Sequence, residues 1–240
     1  MKAKIKFLAM FALVATMGLS SLKAGDSITY KATAELVSCY VWRGTMASNT
    51  PTPNFQPTLA LVYGNLEIGI WGSTSFNEVY KEVDPYISYG IGSFKLTLTD
   101  YDWNFEPKDV GNFKAPYFNY AGHRVEGSIG YTGPASLPIS ISLNTMFWGY
   151  DKKASDPTKQ AYSTYAEIGY ALPSSTSLFL GFTPSASYYN GFHDGFSVVN
   201  IGATSTRNIK ITSDFSLPVR ATVVFNPQAE QAHLVFGITF

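Results

Sequence analysis

The sequence predicts an all-β protein, a transmembrane antiparallel up-and-down β-barrel of about twelve strands. Three observations predict it. Apolar residues alternate with period two along most of the chain, tight turns alternate with long polar loops, and only 14% of the 240 residues are charged while 15% are aromatic. Globular proteins carry about 25% charged residues, so something other than water must cover part of this surface. After residue 24 the longest apolar run is the five residues LALVY at 59–63, far short of a membrane-crossing helix.

The first element is a leader. Lys2, Lys4 and Lys6 precede an apolar run from about Phe7 to Leu19, and the small residue Ala24 stands before Gly25, the pattern of a cleaved secretory signal over residues 1–24. Residues 25–240 then form one domain, since no linker or charge run divides them. Removing Lys2, Lys4, Lys6 and Lys23 from the 17 basic residues leaves 13 against 17 acidic, a formal charge of −4 that argues against a nucleic-acid partner. Cys39 is the single cysteine, so no intramolecular disulfide holds the exported fold.

Strands are expected near 27–42, 56–64, 66–76, 83–91, 93–104, 118–132, 137–148, 161–172, 175–189, 196–206, 213–225 and 231–240. In the first, Tyr30, Ala32, Ala34, Leu36, Ser38, Tyr40 and Trp42 share one face; in the third, Leu66, Ile68, Ile70, Gly72, Thr74 and Phe76 do. Gly64–Asn65, Gly92–Ser93, TGPAS and LPSST make tight turns, whereas RGTMASNTPTPNF, FEPKDVGNFKAPY and GYDKKASDPTKQ are long and polar. An even strand count, strands of about ten residues and this asymmetry of connections are what an outer-membrane barrel requires. Aromatic girdles are expected from Tyr30, Tyr63, Phe94, Tyr131 and Tyr170 on the short-turn side, and from Tyr40, Trp42, Phe76, Phe147 and Phe225 on the long-loop side.

Open strand edges are not tolerated in hydrocarbon, so the last strand must close onto the first. Leu234, Phe236, Ile238 and Phe240 form its apolar face. That pattern serves barrel closure against membrane lipids and resembles the C-terminal signal read by the barrel-assembly machinery.

The stretches LVSCYVWRGTMASNTPTPNFQPTLALVYGNLEIGIWGSTSF and EVDPYISYGIGSFKLTLTDYDW resemble the start of the TorF family of porin-like outer-membrane proteins. The matching features are the strand ending in VSCYVWRG, Gln56–Pro57, the WGS at Trp71–Ser73 and the EVDPY at Glu82–Tyr86, all within residues 34–104. Where Cys39 stands, family members more often have Asp or Asn. The resemblance implies a membrane barrel with a pore, and neither catalytic residues nor a cofactor.

Alternation projects Lys31, Glu35, Arg43, Glu67, Asp84, Lys95, Arg124, Glu126, Glu167 and Arg220 inward, as candidates to line the lumen. They could line a water-filled path or pair across the interior and seal it. Eight strands make a filled barrel and sixteen an open channel, so twelve falls between. The mixed signs favour a narrow diffusion pore for small hydrophilic solutes with little net ion preference; the alternative is a non-conducting structural or surface-binding barrel. At the end of the first strand, Arg43–Gly44 reads as a rim clamp rather than a substrate-binding element, with Arg43 paired to Glu or Asp of neighbouring strands and Gly44 supplying a positive φ.

An enzyme is not expected. A lipid-facing hydrolase would need a Ser–His pair oriented by a third polar group, and the three histidines do not supply one. His123 could face outward but has no serine two residues away on its strand, His193 lies beside Asp194 in a loop, and His233 faces the lumen where it could reach Glu35 if the first and last strands pair. HExxH, CxxC and phosphate-loop motifs are absent from the sequence, so no metal or cofactor site is expected. The alternation leaves oligomeric state open.

Overall fold

The computed structural model describes residues 27–48, 50–77, 80–103 and 122–240; the leader expected over 1–24 and most of the loop after Trp103 lie outside these. In chain order the strands are β1 (Ile28–Val37), β2 (Val41–Trp42), β3 (Thr45–Met46), β4 (Asn54–Tyr63), β5 (Leu66–Ser75), β6 (Lys81–Ile91), β7 (Phe94–Tyr101) and β8 (Arg124–Thr132). There follow β9 (Ile139–Gly149), β10 (Lys152–Lys153), β11 (Asp156–Gln160), β12 (Thr164–Leu172), β13 (Thr176–Thr183), β14 (Ser197–Lys210), β15 (Ser216–Asn226) and β16 (Gln231–Thr239).

Twelve of them close into one antiparallel barrel, in the order β1-β16-β15-β14-β13-β12-β9-β8-β7-β6-β5-β4. The four short strands form two hairpins in loops, β2-β3 and β10-β11. Among the described residues no helix is long and apolar enough to cross a membrane; a barrel crosses with strands.

The period-two pattern explains the wall. Leu59, Leu61, Ile68, Ile70, Leu96, Ile129, Leu143, Ile168, Leu180, Leu234 and Phe236 all stand exposed on its outer face, where hydrocarbon is the solvent that suits them. Tyr30, Phe94 and Tyr170 are exposed at the short-turn end, and the Phe94 and Tyr131 rings stack 5.3 Å apart there. The tight turns at Gly64 and Gly92 use φ of +56° and +57°, which glycine adopts without strain.

Closure at the seam is short. β1 meets β16 at Glu35↔Thr239, Leu36↔Ile238 and Val37↔Gly237, extended by the reciprocal Ala34–Phe240 backbone bonds and by Ser38 N–H donating to the Phe236 carbonyl. By contrast β1 pairs with β4 along its whole length, from Ile28↔Tyr63 to Val37↔Asn54. Of the apolar face of β16, Ile238 and Phe240 thus lie at the joint, while Leu234 lies opposite Val223 of β15.

Two expectations are corrected. The first strand leaves the wall after Val37 instead of continuing to Trp42, and the chain then reverses at two successive left-handed residues, Arg43 (φ +49°) and Gly44 (φ +82°), in the short β2-β3 hairpin. Tyr40 and Trp42 consequently pack among interior rings and do not join a girdle. The strand expected over 175–189 ends at Thr183, and Tyr188–Asn190 form a 3-10 turn capped by Ser187, whose hydroxyl accepts from the Tyr189 N–H.

Candidate functional site: the barrel interior

The interior divides into a packed half toward the long loops and a hollow half toward the short turns. Arg43 is the centre of the packed half. Its Nη1 donates to Glu126 Oε2 at 2.6 Å and its Nη2 to Glu126 Oε1 at 2.8 Å, a bidentate pair across the lumen from the hairpin to β8. The guanidinium is stacked over Trp42, Tyr165 and Tyr189, at 4.5, 4.7 and 5.3 Å from their centroids. Glu126 also accepts from the Tyr101 and Tyr189 hydroxyls, each at 3.0 Å, and from Ser128 at 3.2 Å. Burial disfavours the Arg43 charge, but the facing Glu126 carboxylate outweighs it and holds the guanidinium protonated well beyond its ordinary range.

Around this pair Trp42 meets Tyr101 and Trp103 edge to face, and Trp103 lies tilted against Tyr188. Met146, Tyr165, Tyr189 and Val199 form a buried apolar cluster against Trp42 and Trp103. Asn226 Nδ2 donates to the Gly44 carbonyl at 3.2 Å, fixing the hairpin tip to β15. A Cβ at Gly44 would run into the Val199 carbonyl, so the close approach requires glycine as well as the turn does. These contacts seat the hairpin as an aromatic plug, leaving a pocket of only 60 Å³ between Tyr40, Trp42, Tyr80 and Trp103.

The hollow half is a cavity of 500 Å³ lined by Val62, Glu67, Ser88, Gly90, Lys95 and Thr132 among others. Glu67 lies on its wall, receiving the Tyr86 hydroxyl at 2.5 Å and facing Lys31 at 3.5 Å and Lys95 at 3.9 Å. Deeper, Arg220 binds Glu35 through Nε and, at 3.1 Å, through Nη2. Gly237 faces this pair, and a Cβ there would meet Glu35 Oε1 at 2.5 Å.

The remaining sequence candidates are also brought inside. Asp84, opposite Trp71 in register, accepts the Asp102 N–H at 3.1 Å next to Glu82, which holds the Tyr80 hydroxyl at 2.7 Å. Arg124 lies over the rings of Trp103 and Tyr150, 4.4 and 5.2 Å from their centroids. Glu167 accepts from the Tyr165 hydroxyl and from Asn200 at 3.1 Å. Thus Lys31, Lys95 and Glu67 come together, as do Arg43 with Glu126 and Glu35 with Arg220, while Asp84, Arg124 and Glu167 are held by other polar groups or rings.

Of the histidines, His123, expected to face outward, is fully buried immediately before β8 and lies beside Asp100. Its Nδ1 lies 2.8 Å from Asp100 and its Nε2 3.5 Å from Asp102. Both ring nitrogens therefore face carboxylates, which suits a held imidazole and not a base poised to take a hydroxyl proton. His233 does not meet Glu35, because Arg220 occupies that carboxylate and His233 pairs with Val224, further along β16.

Sequence reasoning misses the plug's aromatic half. Tyr101, Trp103, Tyr188 and Tyr189 come from a strand end and a loop, and their meeting is nonlocal. The doublets DYDW and SYYN, rich in rings where a solvated loop would be polar, are the signal that could have found them.

No protein-family model matches the chain, and no curated protein matches it. Among solved structures it is similar to Pseudomonas putida OprB, at 9% identity and a TM-score of 0.36 over 90% of this chain and 93% of that one. A Salmonella typhi OmpF complex with daunomycin gives 9% identity and a TM-score of 0.36, covering 90% and 98%. Likenesses this distant carry no argument, and the barrel rests on its own strand pairing.

Proposed function

We propose that this chain is an outer-membrane barrel of porin-like type, exported by a cleaved leader, that admits small hydrophilic solutes into a polar vestibule and passes them when the Arg43 hairpin yields. The observation that carries this reading is the pairing of a charged, hollow half-lumen with a plug made from the short β2-β3 hairpin, whose charged clamp is the Arg43–Glu126 pair. The apolar outer face and the closed strand order support a membrane setting, with lipids as its solvent and with Leu234, Phe236, Ile238 and Phe240 as the face presented to the assembly machinery. The stretches quoted from residues 34–104 support a place beside the TorF family.

A second reading is a barrel that never conducts and serves as a scaffold or surface receptor. The burial of inward residues all round the packed half favours it: Asn54, Ser73, Glu126, Met146, Tyr165 and Val235 are all below a tenth exposed. Swelling of vesicles containing the refolded mature chain separates the two. Slow swelling in small sugars that accelerates when residues 40–47 are replaced by a short Gly-Ser turn supports a plugged pore; no swelling with either protein supports the scaffold.

A further inference from the structure

We infer that the short-turn vestibule is a binding site for small anions, carboxylates or phosphate, built from Lys31 and Lys95 against the wall residue Glu67. This deepens the solute-admitting reading by naming the class of solute. Two ammonium groups face one carboxylate, and that carboxylate is already engaged by the Tyr86 hydroxyl at 2.5 Å. The side chains of Lys31 and Lys95 are 49% and 56% exposed while Glu67 is 17% exposed, so the positive charges stand in the water and the negative one is set into the wall. The Lys–Glu separations of 3.5 and 3.9 Å are longer than the roughly 2.7–2.9 Å of a tight charged hydrogen bond, so an incoming anion can share these ammoniums without breaking a close pair.

The space in front of Lys95 is built by its neighbours. In register Lys95 is flanked by Gly90 on one side and Gly130 on the other. A Cβ at Gly90 would meet nothing nearer than the Asn65 carbonyl at 4.0 Å, and at Gly130 nothing nearer than the Lys95 carbonyl at 3.8 Å. Ser88, directly across from Glu67 and lining the same cavity, is 1% exposed and its hydroxyl has no hydrogen-bond partner. It is a donor waiting for an acceptor. The cavity's 500 Å³ lies in the range of small-ligand sites. The next cation inward, Arg220, is spent on Glu35, and a cationic ligand would have to strip Glu67 from two lysines and a phenol.

The test is calorimetric titration of the refolded mature chain in zwitterionic micelles at low ionic strength, with succinate, inorganic phosphate and putrescine as probes. Binding needs no flux, so a barrel that fails the swelling assay can still pass this one. The wild type is expected to bind succinate or phosphate and not putrescine. Lys31→Gln and Lys95→Gln are each expected to weaken binding roughly two- to fivefold, the double variant to abolish it, and Glu67→Gln to strengthen it, with heat-modifiable gel migration confirming the fold. The inference is overturned if neither anion binds, if putrescine binds as well as succinate, or if the double variant binds like the wild type.

Discussion

Arg43 and Glu126 lie 83 positions apart in sequence and meet in a two-pronged ion pair inside the barrel, at 2.6 and 2.8 Å. One partner sits at the tip of a hairpin and the other on the opposite wall, so this contact joins the loop to the barrel.

Breaking one side of that pair strands a buried charge. Glu126→Gln is expected to cost about 3–5 kcal/mol, read as a lower urea midpoint in lipid vesicles. Replacing both partners, Arg43→Leu with Glu126→Leu, is expected to recover most of that loss, because no charge then remains to be desolvated.

Gly44→Ala is expected to cost about 1–3 kcal/mol in the same measurement, since alanine must adopt φ near +82° and place its Cβ against the Val199 carbonyl. Gly92→Ala shares the left-handed backbone but has nothing within 4 Å of an added Cβ, so it is expected to lose less.

The two faces of the wall respond oppositely to charge. Phe236→Arg puts a guanidinium on the outer face and is expected to destabilise the barrel by about 2–4 kcal/mol near the bilayer midplane. Ser142→Arg, on the inner face between Gly130 and Glu167, is expected to be nearly neutral. Unfolding in vesicles compares them directly.

Cys39 is buried just beyond the end of β1, and burial raises its thiol pKa. A thiol whose folded pKa is raised contributes stability that is full below its unfolded value and lost as pH rises through the ordinary thiol range toward the folded value. The barrel is therefore expected to lose a little stability at alkaline pH, a loss absent in Cys39→Ala. Maleimide labelling at neutral pH is expected to be slow until urea unfolds the chain.

How much of this the sequence discloses depends on the range of the interaction. Strand rhythm is local: Leu59, Leu61, Ile68 and Ile70 declare their face two residues at a time, so the wall and its inward charges are legible. Glu67 with Lys31 is one step less local, because β4 lies between their strands and register sets Lys31 in line with Ala60 and Gly69. The plug is not local. Nothing near Trp42 says that the chain turns inward after Val37, and the partners that hold it, Tyr101, Glu126, Tyr165 and Tyr189, arrive from four distant segments. The Arg43–Gly44 turn is the one local trace of it, and its rim position reads equally well as a clamp within the wall.

Whether this hairpin closes the lumen is read by single-channel recording of the refolded mature chain in planar bilayers, wild type beside Arg43→Ala. With the lumen closed in this way, the wild type is expected to be silent or to open in rare brief steps, and an Arg43→Ala barrel, still heat-modifiable on gels, to conduct in larger and longer ones. A wild type with steady large conductance, or a folded Arg43→Ala barrel as silent as the wild type, would contradict closure by the hairpin.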